Sequence, residues 1–214
     1  MRPFLSCLIV GLIASLAGTA SAQQSNPRIL LLDAQALASR GMDQEALALL
    51  DRVVVAEELS DDLRAIAYAK RGNIHFRKKR YPVAQQNFGQ ALGYDVDSLP
   101  ALRGNCFSLL HLRRFDEALI FCESASAQEQ NKAAGADILG YAALMRRDYG
   151  TALTYLNESI RLDPAYAPAY LHRGLVYQAQ KNEVLARADF LKARDLWPGD
   201  PEIEATLRQL GLVF

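Results

Sequence analysis

Apolar and small residues along this chain recur at the helical interval, in helix-length segments separated by short polar turns. The clearest instance runs from Ala167 to Pro198. Tyr170, Gly174 and Tyr177 stand at i, i+4 and i+7, and Ala186, Phe190 and Ala193 repeat that spacing in the next segment. Lys181-Asn182-Glu183 forms the polar turn between them. A single helix face cannot bury this alternation of large and small residues, but two antiparallel helices can. Gly174, Ala186 and Ala193 let the two backbones approach, the aromatics fill the space above and below, and Pro198 ends the second segment. The pattern predicts a helical hairpin.

The same pattern returns upstream. Tyr68, Gly72, Ala84, Phe88 and Ala91 carry it from Ala65. Leu102, Cys106, Leu109, Ala118, Cys122 and Ala125 carry it from Leu99. Ala136, Leu139, Gly140, Ala143, Ala152, Leu156 and Pro164 carry it from Ala133. The starts at Ala65, Leu99, Ala133 and Ala167 are each 34 residues apart, without a gap. Before them, 27–64 reads as an atypical copy. Leu30, Leu37, Ala46, Leu50 and Val53 form its stripe, Gly41 its turn, and Glu57 to Asp62 a longer tail. It is expected to cap the array, and a last helix over 201–214 is expected to cover the other end. The expected units are therefore 27–64, 65–98, 99–132, 133–166 and 167–200, followed by that helix.

This period, with its order of aromatic, glycine, aromatic, alanine, phenylalanine, alanine and proline, resembles the tetratricopeptide repeat. The resemblance covers nearly the whole chain beyond residue 26. It implies an all-α, right-handed α-solenoid of antiparallel helix pairs. Val96 and Gln130 stand where the closing proline belongs, and Cys106 and Cys122 replace the glycine and phenylalanine of the third copy. By this resemblance the first helix of each pair lines a concave face, where a partner protein or peptide lies. The inward set then includes Lys70, Asn73, Arg77, Arg103, Phe107, His111, Tyr141, Leu144, Met145 and His172. It is basic toward the N-terminal repeats and apolar or aromatic through the middle, suited to a segment with apolar anchors and an acidic residue or C-terminal carboxylate. The other reading has Phe107, Tyr141 and Leu144 partly packing on neighbouring repeats or on the protein's own termini. Asn73 fits the family's carboxylate clamp, but Ala69, Gly104, Asp137 and Tyr141 do not, so a chaperone-tail clamp is not expected.

Residues 1–22 read as a cleavable signal peptide: Arg2, an apolar run from Phe4 to Ala17, then Ala20-Ser21-Ala22. The run is shorter than the ~20 residues a membrane span needs, and Cys7 lies too early for lipidation. A short polar lead-in, 23–26, follows. The mature chain is expected in the periplasm or secreted, with no membrane span. That leaves two cysteines. Cys106 and Cys122 lie symmetrically about Arg114, the relation that pairs Gly140 with Leu156 and Gly174 with Phe190. They face each other across a hairpin, as a disulfide or as two buried thiols.

The 24 basic and 24 acidic side chains balance, so bulk charge points to no nucleic acid. His75, His111 and His172 occupy different helical phases and read as polar residues on partly exposed faces, not as metal ligands. Nothing suggests a phosphate loop, a nucleophile or a cofactor, and an enzyme is not expected. Basic residues gather at the hairpin turns (Arg77 to Arg80, Arg113-Arg114, Arg146-Arg147) and acidic ones at the other junctions. Cations at helix C-termini stabilise them; a basic edge touching lipid headgroups or an acidic partner is the functional alternative. The expected function is an exported, non-enzymatic adaptor, in cell-envelope assembly or secretion. The alternative is a self-associating component whose groove is filled by its own C-terminal tail or another copy, as a homo-oligomer.

Overall fold

Eleven helices and no strand are found among the described residues of the computed structural model, which are 26–209 and 211. The expected signal peptide and the Leu212-Val213-Phe214 tail lie outside them. The helices are α1 (Pro27–Ser39), α2 (Asp43–Val54), α3 (Asp61–Arg77), α4 (Tyr81–Tyr94), α5 (Leu99–His111) and α6 (Phe115–Gln128). They continue with α7 (Lys132–Met145), α8 (Tyr149–Leu162), α9 (Ala167–Ala179), α10 (Glu183–Leu196) and α11 (Pro201–Gln209). Consecutive helices from α1 to α10 pack in pairs as five hairpins. The chain forms two compact units, one ending at Ser98 and one starting at Leu99. In the first, Leu30, Leu31, Leu50, Val53, Leu59 and Ile74 build the core of α1 to α3. In the second, Leu171, Ala186, Phe190, Ile203 and Leu207 pack α9, α10 and α11 together.

In three hairpins the interior rests on one close approach. A Cβ on Gly72 would sit 2.8 Å from the Phe88 ring, on Gly174 2.7 Å from Phe190, and on Gly140 2.6 Å from Leu156. Only glycine admits these neighbours. In the α5–α6 hairpin the corresponding pair is Cys106 and Cys122, joined as a disulfide across a Cα–Cα separation of 5.0 Å and fully buried.

The turns inside the hairpins also share one geometry. Arg80 N–H donates to His75 O and Lys79 N–H to Phe76 O, at 2.9 and 2.8 Å. The same two bonds recur at Arg114 and Arg113, at Asp148 and Arg147, at Asn182 and Lys181, and at Met42 and Gly41. This is a Schellman closure, and it sets the residue after the helix cap in the left-handed region. Gly41 has φ 77°, whereas Lys79, Arg113, Arg147 and Lys181 have φ of 56°, 61°, 64° and 61°. A side chain there costs about 1 kcal/mol, and a cation at the helix C-terminus returns roughly 0.3–1 kcal/mol. That near balance is a local reason for the recurring basic turns.

One boundary departs from the repeat register. α3 begins at Asp61, four residues before the expected start at Ala65, so Asp61 and Asp62 form its first turn. Acidic side chains there meet the positive end of the helix dipole. At the other junctions the acids serve local turns: Asp95 accepts from Asp97 N–H (3.1 Å) and Asp163 from Ala165 N–H (2.9 Å).

Candidate partner-binding surface

In the second unit, three successive first helices bring an aromatic run together. The Phe107 ring on α5 meets Tyr141 on α7 edge-on at 5.5 Å, and Tyr141 lies 4.6 Å from the His172 ring on α9. They reach one line because 107 and 141 differ by one repeat period. Phe107 and Tyr141 remain half-buried, so each packs on its neighbour and still presents a face. Leu144 leans on the cluster of Ala143, Ala152, Leu156 and Val176. His111 and Met145 are half-buried.

His172 departs from its expected place on a partly exposed face. It is 9% exposed, and its Nδ1 is hydrogen-bonded to Asp137 Oδ1 at 2.7 Å. The physical reason is Asp137, the lone acid of α7, buried to 4% exposure. A buried carboxylate without a partner is costly, and the imidazole supplies one. Nearby, Arg103 lies 3.6 Å from Glu129. Burial first, then the Asp137 carboxylate, pushes the Tyr166 phenol well above its ordinary range. Asp137, Glu129 and Tyr166 were absent from the expected set. The signal for Asp137 was present, as a single acid in an otherwise apolar helix.

In the first unit the expected residues are more dispersed. Lys70 is half-buried, and burial lowers its ammonium pKa. Asn73 is exposed, and Arg77 is ion-paired to Asp43 of α2, which Lys78 also approaches at 3.7 Å. At the α5–α6 turn Arg114 pairs with Glu117, and Arg113 lies over the Phe115 ring at 5.9 Å. Among the described residues no cluster of three or more His, Cys, Asp or Glu side chains could hold a metal ion, and no helix is long and apolar enough to cross a membrane.

A second, unexpected network lies between first and second helices. Arg173 Nε and Nη2 donate to both Asp189 carboxylate oxygens at 2.8 Å, and Nη1 donates to Asn157 at 2.7 Å. Arg71 does the same with Asn87 and with Asp51, the latter at 2.7 Å. The recurring Arg-Gly dipeptides at Arg71-Gly72 and Arg173-Gly174 were its sequence signal.

A chain of helical hairpins closed by one repeated turn and one repeated small–large contact defines a repeat scaffold. Residues 139–201 match the family model described as tetratricopeptide repeat. A curated relative, the DnaJ homolog subfamily C member 7 homolog of Dictyostelium discoideum, is 26% identical over 153 residues, 69% of this chain. The chain spans only 22% of that relative's length. Among solved structures, YrrB, described as a TPR protein with an unusual peptide-binding site, has a TM-score of 0.60 at 21% identity, over 90% of this chain and 97% of that one. PilW, described as a widely conserved type IV pilus biogenesis factor, has a TM-score of 0.67 at 20% identity, over 87% of each chain. The fold is that of a tetratricopeptide α-solenoid. Such repeats are generally non-enzymatic scaffolds, and the fold implies protein partners.

Proposed function

We propose that the chain is an exported adaptor that holds a segment of another protein on the first-helix face of its second unit. The observation that carries this reading is the run Phe107–Tyr141–His172, whose two leading rings keep a half-exposed face. Rigid aromatics on a fixed scaffold give large contact area at small entropic cost. The description of YrrB as peptide-binding and of PilW as a pilus biogenesis factor supports a peptide-holding role in the cell envelope. The pattern of residues 1–22 supports export. The generally non-enzymatic character of tetratricopeptide repeats supports a binding role.

The test is a Phe107→Ala/Tyr141→Ala double variant, checked for unchanged helicity by circular dichroism. It loses the protein that wild type crosslinks in the envelope fraction; equal crosslinking by both would sink the reading. Mass spectrometry of the exported chain, with Gln23 as its first residue, checks the export step separately.

A second reading is self-association at the end of the second unit. Val184, Leu185 and Trp197 of that end are 80%, 43% and 52% exposed. Light scattering on a Val184→Glu variant reads it: a dimer turned monomer supports it, and a monomer in both removes it.

A further inference from the structure

The first unit holds a cavity of about 390 Å³ between α2, α3 and α4. Asp51, Tyr68, Arg71, His75, Asn87 and Gln90 stand on its wall. Its polar frame is fixed. Arg71 bridges Asp51 and Asn87, Asn87 Nδ2 donates to Val83 O at 2.7 Å, and the guanidinium lies 5.1 Å from the Tyr68 ring centroid. His75 is the exception. Its Nδ1 is buried without a hydrogen-bond partner among the described residues. At the same place in later hairpins stand Leu109, 1% exposed, and Tyr177, packed against the core. Packing alone therefore does not ask for an imidazole here. A buried, unsatisfied ring nitrogen is costly, so His75 stands on this wall at a cost that packing does not explain.

The charge around the ring selects the ligand. Arg80, Arg71 and Lys78 act on His75 against the Asp51 carboxylate, with Arg71 itself paired to Asp51 and Lys78 3.7 Å from Asp43, and the balance at the ring is cationic. Burial, and then Arg80 and Arg71, lower the His75 pKa from its ordinary value. At neutral pH the imidazole is therefore uncharged within a cationic frame.

We propose that this cavity is a carboxylate-binding site, in which His75 and Arg71 hold the anion and Lys78 and Arg80 draw it in. A carboxylate beside the ring favours the imidazolium, so binding takes up a proton at His75 and tightens as pH falls from neutrality. Two sources fit this chemistry: an acidic side chain of a polypeptide, or a free small carboxylate.

The experiment is NMR titration of the histidine Cε1–H resonances of the whole chain, with His75→Leu assigning one of the three. The probes are sodium acetate and an N-acetylated, amidated tetraglutamate peptide, with a tetraglutamine peptide and matched sodium chloride as controls. The expected result is a shift of the His75 resonance and a rise of its midpoint by about one unit, with affinity about tenfold weaker in His75→Leu. A response to acetate alone assigns the site to small carboxylates, and a response to tetraglutamate extends it to acidic segments. The proposal is overturned if neither moves His75, if tetraglutamine moves it equally, or if folded His75→Leu binds as tightly as wild type. Should His75→Leu fail to fold, Arg80→Gln replaces it, and undiminished binding by that variant overturns the proposal as well.

Discussion

The hairpins α3–α4 and α9–α10 are built on one plan, with Arg71 and Arg173, Gly72 and Gly174, Phe88 and Phe190 in matching places. They differ in where the carboxylate stands. In α9–α10 it is Asp189 on the partner helix, gripped through both oxygens, while the preceding hairpin supplies the amide of Asn157. In α3–α4 the partner helix supplies the amide of Asn87, and the preceding hairpin supplies the carboxylate of Asp51. Exchanging acid and amide between two places moves the ionic tie from within a hairpin to the contact with its predecessor. In an array whose stability is a sum of repeat and neighbour contributions, that changes which contribution carries the charge.

The largest effect probes what the two hairpins share. Phe88→Ala and Phe190→Ala each remove a fully buried ring beside a glycine, and each is expected to cost about 3–5 kcal/mol in urea unfolding. A gap between them larger than the spread of core truncations would break the equivalence. Next comes the hairpin that lacks this pair. Loss of the Cys106–Cys122 bond is expected to cost on the order of 3 kcal/mol. Thiol titration of the unfolded, unreduced chain from Gln23 onward should find no free thiol.

The charge difference itself is read by a third pair. Asp189→Ala strips the carboxylate from a guanidinium only 20% exposed and is expected to cost about 2 kcal/mol. Asn87→Ala removes a neutral acceptor and is expected to cost about 1 kcal/mol. Equal losses would mean that the position of the acid is immaterial. The smallest effect concerns the turns: Lys79→Gly and Lys181→Gly relieve the left-handed strain and remove the cation together. Their stabilities should stay within about 0.5 kcal/mol of wild type, as differential scanning calorimetry would show.

The hairpins were legible in the sequence because Gly72, Gly140 and Gly174 each require a large residue at one fixed distance along the chain. The early start of α3 was not, since Asp61 and Asp62 take part through charge at a helix end and leave no apolar mark. Phe107 and Tyr141 could be placed on one face by register alone. The role of Asp137 is not legible in the sequence, because its partner, His172, lies on another helix. Glu129 and Tyr166 lie at junctions outside the helices, where a helical period says nothing. His75 is the instructive case. Its neighbours Asp51 and Arg71 belong to the guanidinium network, which period analysis could not reveal because its members alternate between acid and amide.

The left-handed basic residues Lys79, Arg113, Arg147 and Lys181 have a consequence for handling the protein. All four are exposed and stand 34 residues apart. A trypsin cut at each turn would give inner pieces one repeat long, each joining the second helix of one hairpin to the first of the next. The order in which such pieces appear under native conditions reports which hairpin opens most readily. At Arg113 the two halves would stay together after cleavage, held by Cys106 and Cys122 until a reductant parts them.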